Sequence, residues 1–287
     1  YEDYVILPTG EGVAGIVVYD FLNSAGTTTP AEGGLIRFRS DGTLDTTFGG
    51  DGFAESGLVG SRNSTVTLAQ QPNGTYLLAF GTGDFQGPAE ERIGVARFNT
   101  VGSLDTSFGT NGRLQFDAFL GVQSVEYPRS IALQQDGKIL IGGDYSPFGG
   151  DGQSNPDVAA RDDSGFIARL NANGTLDTSF SADGLVYYHG LFPRTSAAQS
   201  SGISDGFIYE IAQLPNGRIT AVAESFDGPG VDFLQDVPVV LEFLADGTPD
   251  AQFGINGALR LTSVHTDALL GILDAALHEI GKNPQPS

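Results

Sequence analysis

Short apolar runs recur along the chain, and turn residues separate them. The runs include 15–19, 76–80, 139–141 and 219–222, which are rich in β-branched and aromatic residues. Such runs are typical of β-strands, and an Asn-Gly or Asp-Gly pair between two runs predicts a tight hairpin, because its central residues need positive φ. The expected hairpin turns contain Gly10, Gly42, Gly74, Gly102, Gly137, Gly174, Gly217 and Gly247.

Two sequence elements alternate along the chain, and each occurs four times. Copies of the first read approximately Gly-Thr-Leu-Asp-Thr-Ser-Phe, and their glycines at 42, 102, 174 and 247 are 60, 72 and 73 residues apart. The second element contains the other four turns, so each repeat has two hairpins and four strands. Four-stranded units in series predict an all-β protein, a β-propeller of four blades with four antiparallel strands each. We expect the propeller within residues 1–262, as four repeats of about 60–73 residues.

The best copies of these elements are residues 166–184 and 132–143. They resemble the delta-60 repeat, a bacterial propeller-type repeat without an assigned activity, and the hairpin order is similar to that of the NHL repeat. The resemblance covers about residues 4–262. It implies a propeller fold and says little about chemistry.

Each repeat also contains an aspartate that invites a functional interpretation. These residues are Asp45, Asp105, Asp177 and Asp250. Their place in the repeat favours turn chemistry, since an Asp side chain there accepts local backbone N–H groups. We expect Arg37, Arg97 and Arg169 to pair with them, and the phenylalanines at 48, 108, 180 and 253 to pack between blades.

The long connections between hairpins are the places where we look for a binding surface. The connection 144–164 is rich in aspartate, and its carboxylates suit Ca²⁺, although a solvated acidic loop is the alternative. The candidate calcium ligands are Asp144, Asp151, Asp157, Asp162 and Asp163. Aromatic side chains on the same side are candidates for stacking on sugars or anchoring a partner, with loop packing as the alternative. They are Tyr145, Phe148, Tyr187, Tyr188 and Phe192, accompanied by His189.

The end of the chain has a different period. Between residues 266 and 280 apolar residues recur at helical spacing, which predicts one amphipathic helix in the segment 263–287. Its apolar face contains Leu269, Ile272, Leu273, Leu277 and Ile280. We expect this face to pack on the propeller or to dock into a partner.

Composition narrows the classes of function. The chain has 35 acidic and 14 basic residues and a formal charge of −21, so its field repels nucleic acid and anionic lipid surfaces. It contains no cysteine, which excludes disulfides and thiolate catalysis. It contains only three histidines. No apolar run approaches the ~18 residues of a membrane-spanning helix. We therefore expect no nucleic-acid partner and no membrane span.

The chain starts at Tyr1 and contains no methionine and only two lysines. No charged segment followed by an apolar one opens it, so we interpret it as a processed, exported chain. The expected location is the periplasm or the exterior of the cell.

Together these features favour a non-catalytic exported propeller, not an enzyme. It would be a binding or assembly subunit for a protein partner or an extracellular glycan, acting through the long loops and the C-terminal helix. No cofactor is certain, and Ca²⁺ is possible. One alternative is a calcium-assisted glycan-binding module. Another is a hydrolase or lyase with a carboxylate site in the central channel, which the scarcity of histidine and the lack of cysteine disfavour.

Overall fold

The structure is a computed structural model, and it describes residues 3–18, 31–61, 65–83, 92–118, 124–147, 164–188, 206–225 and 237–261. All regular secondary structure in these ranges is β-strand. The strands are β1 Asp3–Ile6, β2 Gly12–Val18, β3 Glu32–Phe38, β4 Phe53–Val59, β5 Val66–Gln70, β6 Tyr76–Thr82, β7 Arg92–Phe98, β8 Arg113–Phe116, β9 Ser124–Leu133, β10 Ile139–Pro147, β11 Ser164–Leu170, β12 Leu185–Tyr188, β13 Ile208–Gln213, β14 Ile219–Ser225, β15 Val237–Phe243 and β16 Ala258–Arg260.

The strands form four sheets of four consecutive antiparallel strands each: β1–β4, β5–β8, β9–β12 and β13–β16. We call these sheets blades 1 to 4. Each sheet corresponds to one sequence repeat, which confirms the prediction of an all-β propeller with four blades of four antiparallel strands. The predicted C-terminal helix at 266–280 lies outside the described residues. The described part of the chain offers no helix that is long and apolar enough to cross a membrane.

The turn chemistry explains why each repeat folds into hairpins. All eight predicted turn glycines have φ between 81° and 89°, a region that favours glycine because it lacks a Cβ atom. The second hairpin is longer than expected. In blade 1, for example, the tight turn closes on a single bridge between Phe38 and Leu44, and a further turn from Asp45 to Gly52 precedes β4.

The chain divides into two compact units, and each has its own core. The first comprises residues 1–128 and 172–175, and the second comprises residues 129–171 and 176–287. The first core lies between blades 1 and 2, where Val13 and Leu35 meet Leu78 and Phe80. The second lies between blades 3 and 4 and includes Leu140, Ile167, Phe180, Ile211 and Leu241.

Adjacent blades approach closely where the second strand of a blade has a glycine. At Gly15 in β2, an added Cβ would lie 2.7 Å from Leu78 and 2.8 Å from Val66 of blade 2. At Gly142, the same repeat position in β10, it would lie 2.8 Å from Ile211 of blade 4. A side chain at either position would push the two sheets apart, so these glycines set the distance between blades.

Candidate functional site

The repeated arginine and aspartate form a structural contact rather than a ligand site. The Arg37 guanidinium lies 2.6 Å from the Asp45 carboxylate and 4.7 Å from the centre of the Phe48 ring. It also donates a hydrogen bond of 2.9 Å to the carbonyl of Thr100 in blade 2. Asp45 in turn accepts the backbone N–H and the hydroxyl of Thr47. We call this set of contacts an arginine clasp, since it joins one blade to a turn of the next.

Arg97 and Arg169 make the same contacts in blades 2 and 3. Their partners are Asp105, Phe108 and the Ala172 carbonyl for Arg97, and Asp177, Phe180 and the Ala245 carbonyl for Arg169. The predicted pairing of arginine with aspartate is thereby confirmed in three blades.

Blade 4 departs from this pattern. Glu242 stands at the position of the clasp arginine and accepts a hydrogen bond of 2.7 Å from Arg218, which also lies 2.9 Å from Asp250. The ion pair within the blade is kept, but a carboxylate cannot donate to a neighbouring carbonyl.

The clasp holds its aspartates in the ionised form. Hydrogen bonds from Thr47, together with the Arg37 guanidinium, outweigh burial and lower the pKa of Asp45 to about 2. Burial opposes ionisation of Asp177, but hydrogen bonds from Ser179 and the charges of Lys138 and Arg169 keep its pKa well below its usual value. These carboxylates stabilise the fold as anions, in agreement with a structural role.

A different cluster of charged groups occurs in blades 3 and 4. Arg129 in β9 and Tyr209 in β13 each lie eight residues before the first turn glycine of their repeat. Asp144 in β10 and Glu224 in β14 each lie seven residues after it. The positions equivalent to these two acids in blades 1 and 2 hold valine and glycine, at 17 and 81. The carboxylate pair is therefore a property of blades 3 and 4.

One half of this cluster is a buried ion pair. Arg129 donates through Nε to a carboxylate oxygen of Asp144, which is buried. The guanidinium carbon lies 5.2 Å from the centre of the Phe207 ring and 5.5 Å from that of Tyr209. Burial works against the charge on Arg129, but the hydrogen bond and charge of Asp144 outweigh it and raise the pKa of Arg129. Asp144 therefore has a permanently charged partner.

The other half is a phenol hydrogen-bonded to a carboxylate. Burial raises the pKa of Tyr209, and the hydrogen bond to Glu224 raises it further, while Arg129 opposes the shift. Tyr209 thus keeps its proton at neutral pH and donates a hydrogen bond to Glu224, which is itself buried. With both acids ionised, the cluster holds one positive and two negative charges.

The first strands of blades 3 and 4 are fixed next to each other beside this cluster. The Ser130 hydroxyl donates a hydrogen bond of 2.6 Å to Glu210 and accepts one of 3.2 Å from the backbone N–H of Ile211. Ser130 and Glu210 follow Arg129 and Tyr209 directly in sequence. The contact therefore aligns the strands that present the four side chains.

Of the candidate calcium ligands, only one lies in the described part of the chain. Asp144 belongs to β10 and is paired with Arg129. Asp151, Asp157, Asp162 and Asp163 lie outside the described residues. Within the described ranges, no three His, Cys, Asp or Glu side chains are grouped for a metal ion. The calcium site stays a prediction.

The candidate aromatic residues have mixed positions. Tyr145 and Tyr188 are buried in blade 3, and the Tyr145 ring makes an edge contact with Tyr187 at 6.2 Å between ring centres. This geometry favours the packing alternative for these rings. The other candidates lie outside the described residues: Phe148, His189, Phe192, Leu269, Ile272, Leu273, Leu277 and Ile280.

Sequence reasoning missed Arg129, Tyr209 and Glu224. A signal was present, because aligning the four repeats shows charged or phenolic residues in blades 3 and 4 where the described equivalents in blades 1 and 2 are valine or glycine.

Comparison with known proteins supports the propeller fold. Residues 25–48, 71–108, 134–159 and 161–180 match the family described as a domain of unknown function (DUF5122) β-propeller. These matches cover well under half of the chain, and they support the β-propeller repeat in general rather than a particular repeat type. No curated protein matches the chain.

Several solved structures have a similar fold. An α-L-arabinanase from Penicillium chrysogenum, in complex with arabinobiose, is 14% identical with a TM-score of 0.48, covering 93% of this chain and 67% of its own. An α-L-arabinofuranosidase from Lactobacillus brevis is 11% identical with a TM-score of 0.45, covering 91% and 72%. A mannose phosphorylase from Leishmania mexicana is 12% identical with a TM-score of 0.41, covering 92% and 70%.

These comparisons contradict the expectation of a non-catalytic binding or assembly subunit. The expectation that the chain is not an enzyme finds no support among them, because the similar structures named above are enzymes that act on carbohydrates. At 11–14% identity the likeness itself shows the fold alone. The type of reaction must be argued from the side chains of this chain.

Proposed function

We propose that the chain is a carbohydrate-active hydrolase and that Asp144 and Glu224 are its pair of catalytic carboxylates. The observation that supports the proposal is the cluster in blades 3 and 4. It places two buried acids at the same repeat position, one beside a guanidinium and the other beside a protonated phenol.

Hydrolysis of a glycosidic bond uses two carboxyl groups in different protonation states. One donates a proton to the leaving oxygen, and the other, as a carboxylate, activates water or attacks the sugar. The ion pair with Arg129 favours the charged form of Asp144, so we assign it the second role. Glu224 has a neutral hydrogen-bond partner in Tyr209, in place of the guanidinium that pairs with Asp144. It is therefore the easier of the two acids to protonate, and we assign it the role of general acid.

The same cluster favours hydrolysis over elimination by a tyrosine base. A lyase of that kind needs a phenolate that removes a proton from carbon, and a general base works best with a pKa near the operating pH. The raised pKa of Tyr209 makes it a poor base. Tyr209 instead holds Glu224 in place and donates a hydrogen bond.

The test is an assay of reducing ends released from a panel of polysaccharides, including arabinan, xylan and mannan. Asp144→Asn and Glu224→Gln should each lower the rate by about 10²–10⁴-fold, the usual contribution of general acid–base catalysis. Tyr209→Phe keeps the ring and should lower the rate less, with a change in the pH profile.

The matched control is Glu242→Gln. Glu242 is a buried carboxylate of blade 4 that also pairs with an arginine, but it lies in β15, in the second hairpin of the blade. Its substitution should leave the rate within about 2-fold, because it is not part of the acid–base pair. Full activity of Asp144→Asn in a folded protein, or no release from any polysaccharide, would contradict the proposal.

We further propose that the repeats are of the delta-60 type and that the protein acts on an extracellular glycan. The elements at 166–184 and 132–143 support the repeat type. The acidic composition with only two lysines supports export. Fractionation of cells that produce the full-length protein tests the location.

A further inference from the structure

In blades 2 and 4 one face of the sheet meets the preceding blade, and we call this face, and its equivalent in blade 1, the leading face. In blade 2 it consists of Leu68, Tyr76, Leu78, Phe80, Ala96 and Phe98, all buried in the core shared with blade 1. The Tyr76 ring contacts Phe48 of blade 1 at 6.1 Å between ring centres. In blade 4 the equivalent residues are Ile211, Ile219, Ala221, Ala223, Leu241 and Phe243, which are also buried.

The leading face of blade 1 is apolar like the others but is much less covered. Tyr4 is 62% exposed, whereas Leu68 and Ile211 at the same repeat position are 6% and 1% exposed. Phe38 is exposed, although the equivalent Phe98 is fully buried. The remaining members, Gly12, Ala14, Ile16 and Ile36, are half-buried. This sheet face of interblade type is therefore partly open to solvent.

The turn beside this face is open as well. An added Cβ at Gly102 would lie 2.6 Å from the backbone nitrogen of Gly49, and at Gly247 it would lie 2.7 Å from the Phe180 ring of the preceding blade. At Gly42, the same position in blade 1, it would meet nothing within 4 Å. The turn of blade 1 thus has the conformation of the others without a preceding blade against it.

Two hydrogen bonds to backbone carbonyls complete each described interblade contact. In blade 2 the carbonyls of Thr100 and Val101 accept from the clasp Arg37 and from the N–H of Gly49. In blade 1 the equivalent carbonyls belong to Ser40 and Asp41, which are exposed. A preceding blade with an arginine at the clasp position would bring two donors, the arginine and a backbone N–H, to these carbonyls.

We propose that the leading face of blade 1 is a docking surface for a further blade of the same repeat type, one that has a clasp arginine. The occupant's apolar side would cover Tyr4, Ile36 and Phe38, and its arginine would donate to the Ser40 carbonyl. This arrangement continues the interface that blades 1 and 2 already form. The last blade of a second copy fits less well, because Glu242 stands at the clasp position and cannot donate.

The test uses the absence of cysteine from the chain. Ala14→Cys places a single thiol on the leading face of blade 1, and its rate of reaction with a thiol reagent reports exposure. An added blade is supplied by a second copy of residues 65–127 joined ahead of Tyr1 in the full chain. This keeps the natural spacing between β8 and the repeat position of Asp3, which Ser130 holds in β9. We expect the added blade to slow labelling by at least about 100-fold, as in a protected core.

Three variants keep the result interpretable. A flexible Gly/Ser extension of equal length should leave labelling fast. An added copy whose clasp arginine, equivalent to Arg97, is changed to Glu should protect the thiol about 10-fold less. Ile255→Cys, at an exposed position between β15 and β16 of blade 4, should label equally with and without the added blade.

Several outcomes would overturn the proposal. In the unextended chain, the Ala14→Cys thiol must react much faster than that of Leu78→Cys in blade 2; equal rates would mean that the face is already covered. Unchanged labelling with an added blade that is folded by circular dichroism would also refute it. So would concentration-dependent protection in the unextended chain with dimers in light scattering, which would assign the face to a second copy. Equal protection of the Ala14→Cys thiol by the added copy with arginine and by the copy with glutamate would show that the clasp arginine does not contribute to docking.

Discussion

Substitution of Arg169 by methionine should destabilise the protein by about 3 kcal/mol, within the range for breaking a buried ion pair. The Arg169 side chain is 6% exposed, pairs with Asp177 at 2.7 Å and lies 4.4 Å from the centre of the Phe180 ring. Removing one partner of a buried pair costs about 3–5 kcal/mol, and the lost ring contact adds up to about 2. Lys138 remains 3.2 Å from Asp177 and offsets part of the loss, so we expect the lower end.

Urea unfolding at pH 7, followed by circular dichroism, measures this change as a lower midpoint at constant slope. The expected loss corresponds to a melting temperature about 6–12 °C lower, at roughly 2–4 °C per kcal/mol for a chain of this size. The matched control is Arg39→Met, whose side chain is 43% exposed although it lies 3.0 Å from Asp45. An exposed pair contributes about 0–1 kcal/mol. Equal effects of the two substitutions would refute the view that burial gives the clasp its strength.

Two more predictions concern pH and packing. Because the pKa of Asp45 is lowered to about 2 from its usual value of 3.8, its contribution to stability is present above the unfolded pKa and is lost as the pH falls between these values. Urea midpoints measured from pH 7 to pH 2 should show this loss, and Asp45→Asn should make the fall of the midpoint with pH smaller. An equal fall in the wild-type chain and the variant would argue against a stabilising role of ionised Asp45. Gly15→Ala should cost about 1–3 kcal/mol through overpacking against Leu78 and Val66. At Gly217 an added Cβ would meet no atom within 4 Å, so Gly217→Ala should cost only about 1 kcal/mol of stability, from its positive φ. Calorimetry measures both losses, and a larger loss for Gly217→Ala than for Gly15→Ala would contradict the prediction.

The sequence by itself determined the hairpins and the number of blades. A turn that needs positive φ is a local requirement, so the glycines at 10, 74 and 137 predict their turns without knowledge of distant contacts. The same locality explains why the Arg37–Asp45 pair was predictable. The two residues are eight positions apart across one tight turn, and the antiparallel register brings them together.

Only the tertiary structure decided which side chains of different blades meet. Arg129 and Tyr209 are 80 residues apart, and their contact depends on how closely two sheets pack, which small residues such as Gly142 permit. The exposure of Tyr4 is also a tertiary result. Tyr4 stands at the repeat position of Leu68 in β5 and Ile211 in β13, and an apolar residue at that position shows that the sheet face is apolar but not whether another sheet covers it. Burial depends on distant parts of the chain. For that reason the sequence predicted the fold of each repeat, but not which side chains of other blades each repeat would contact.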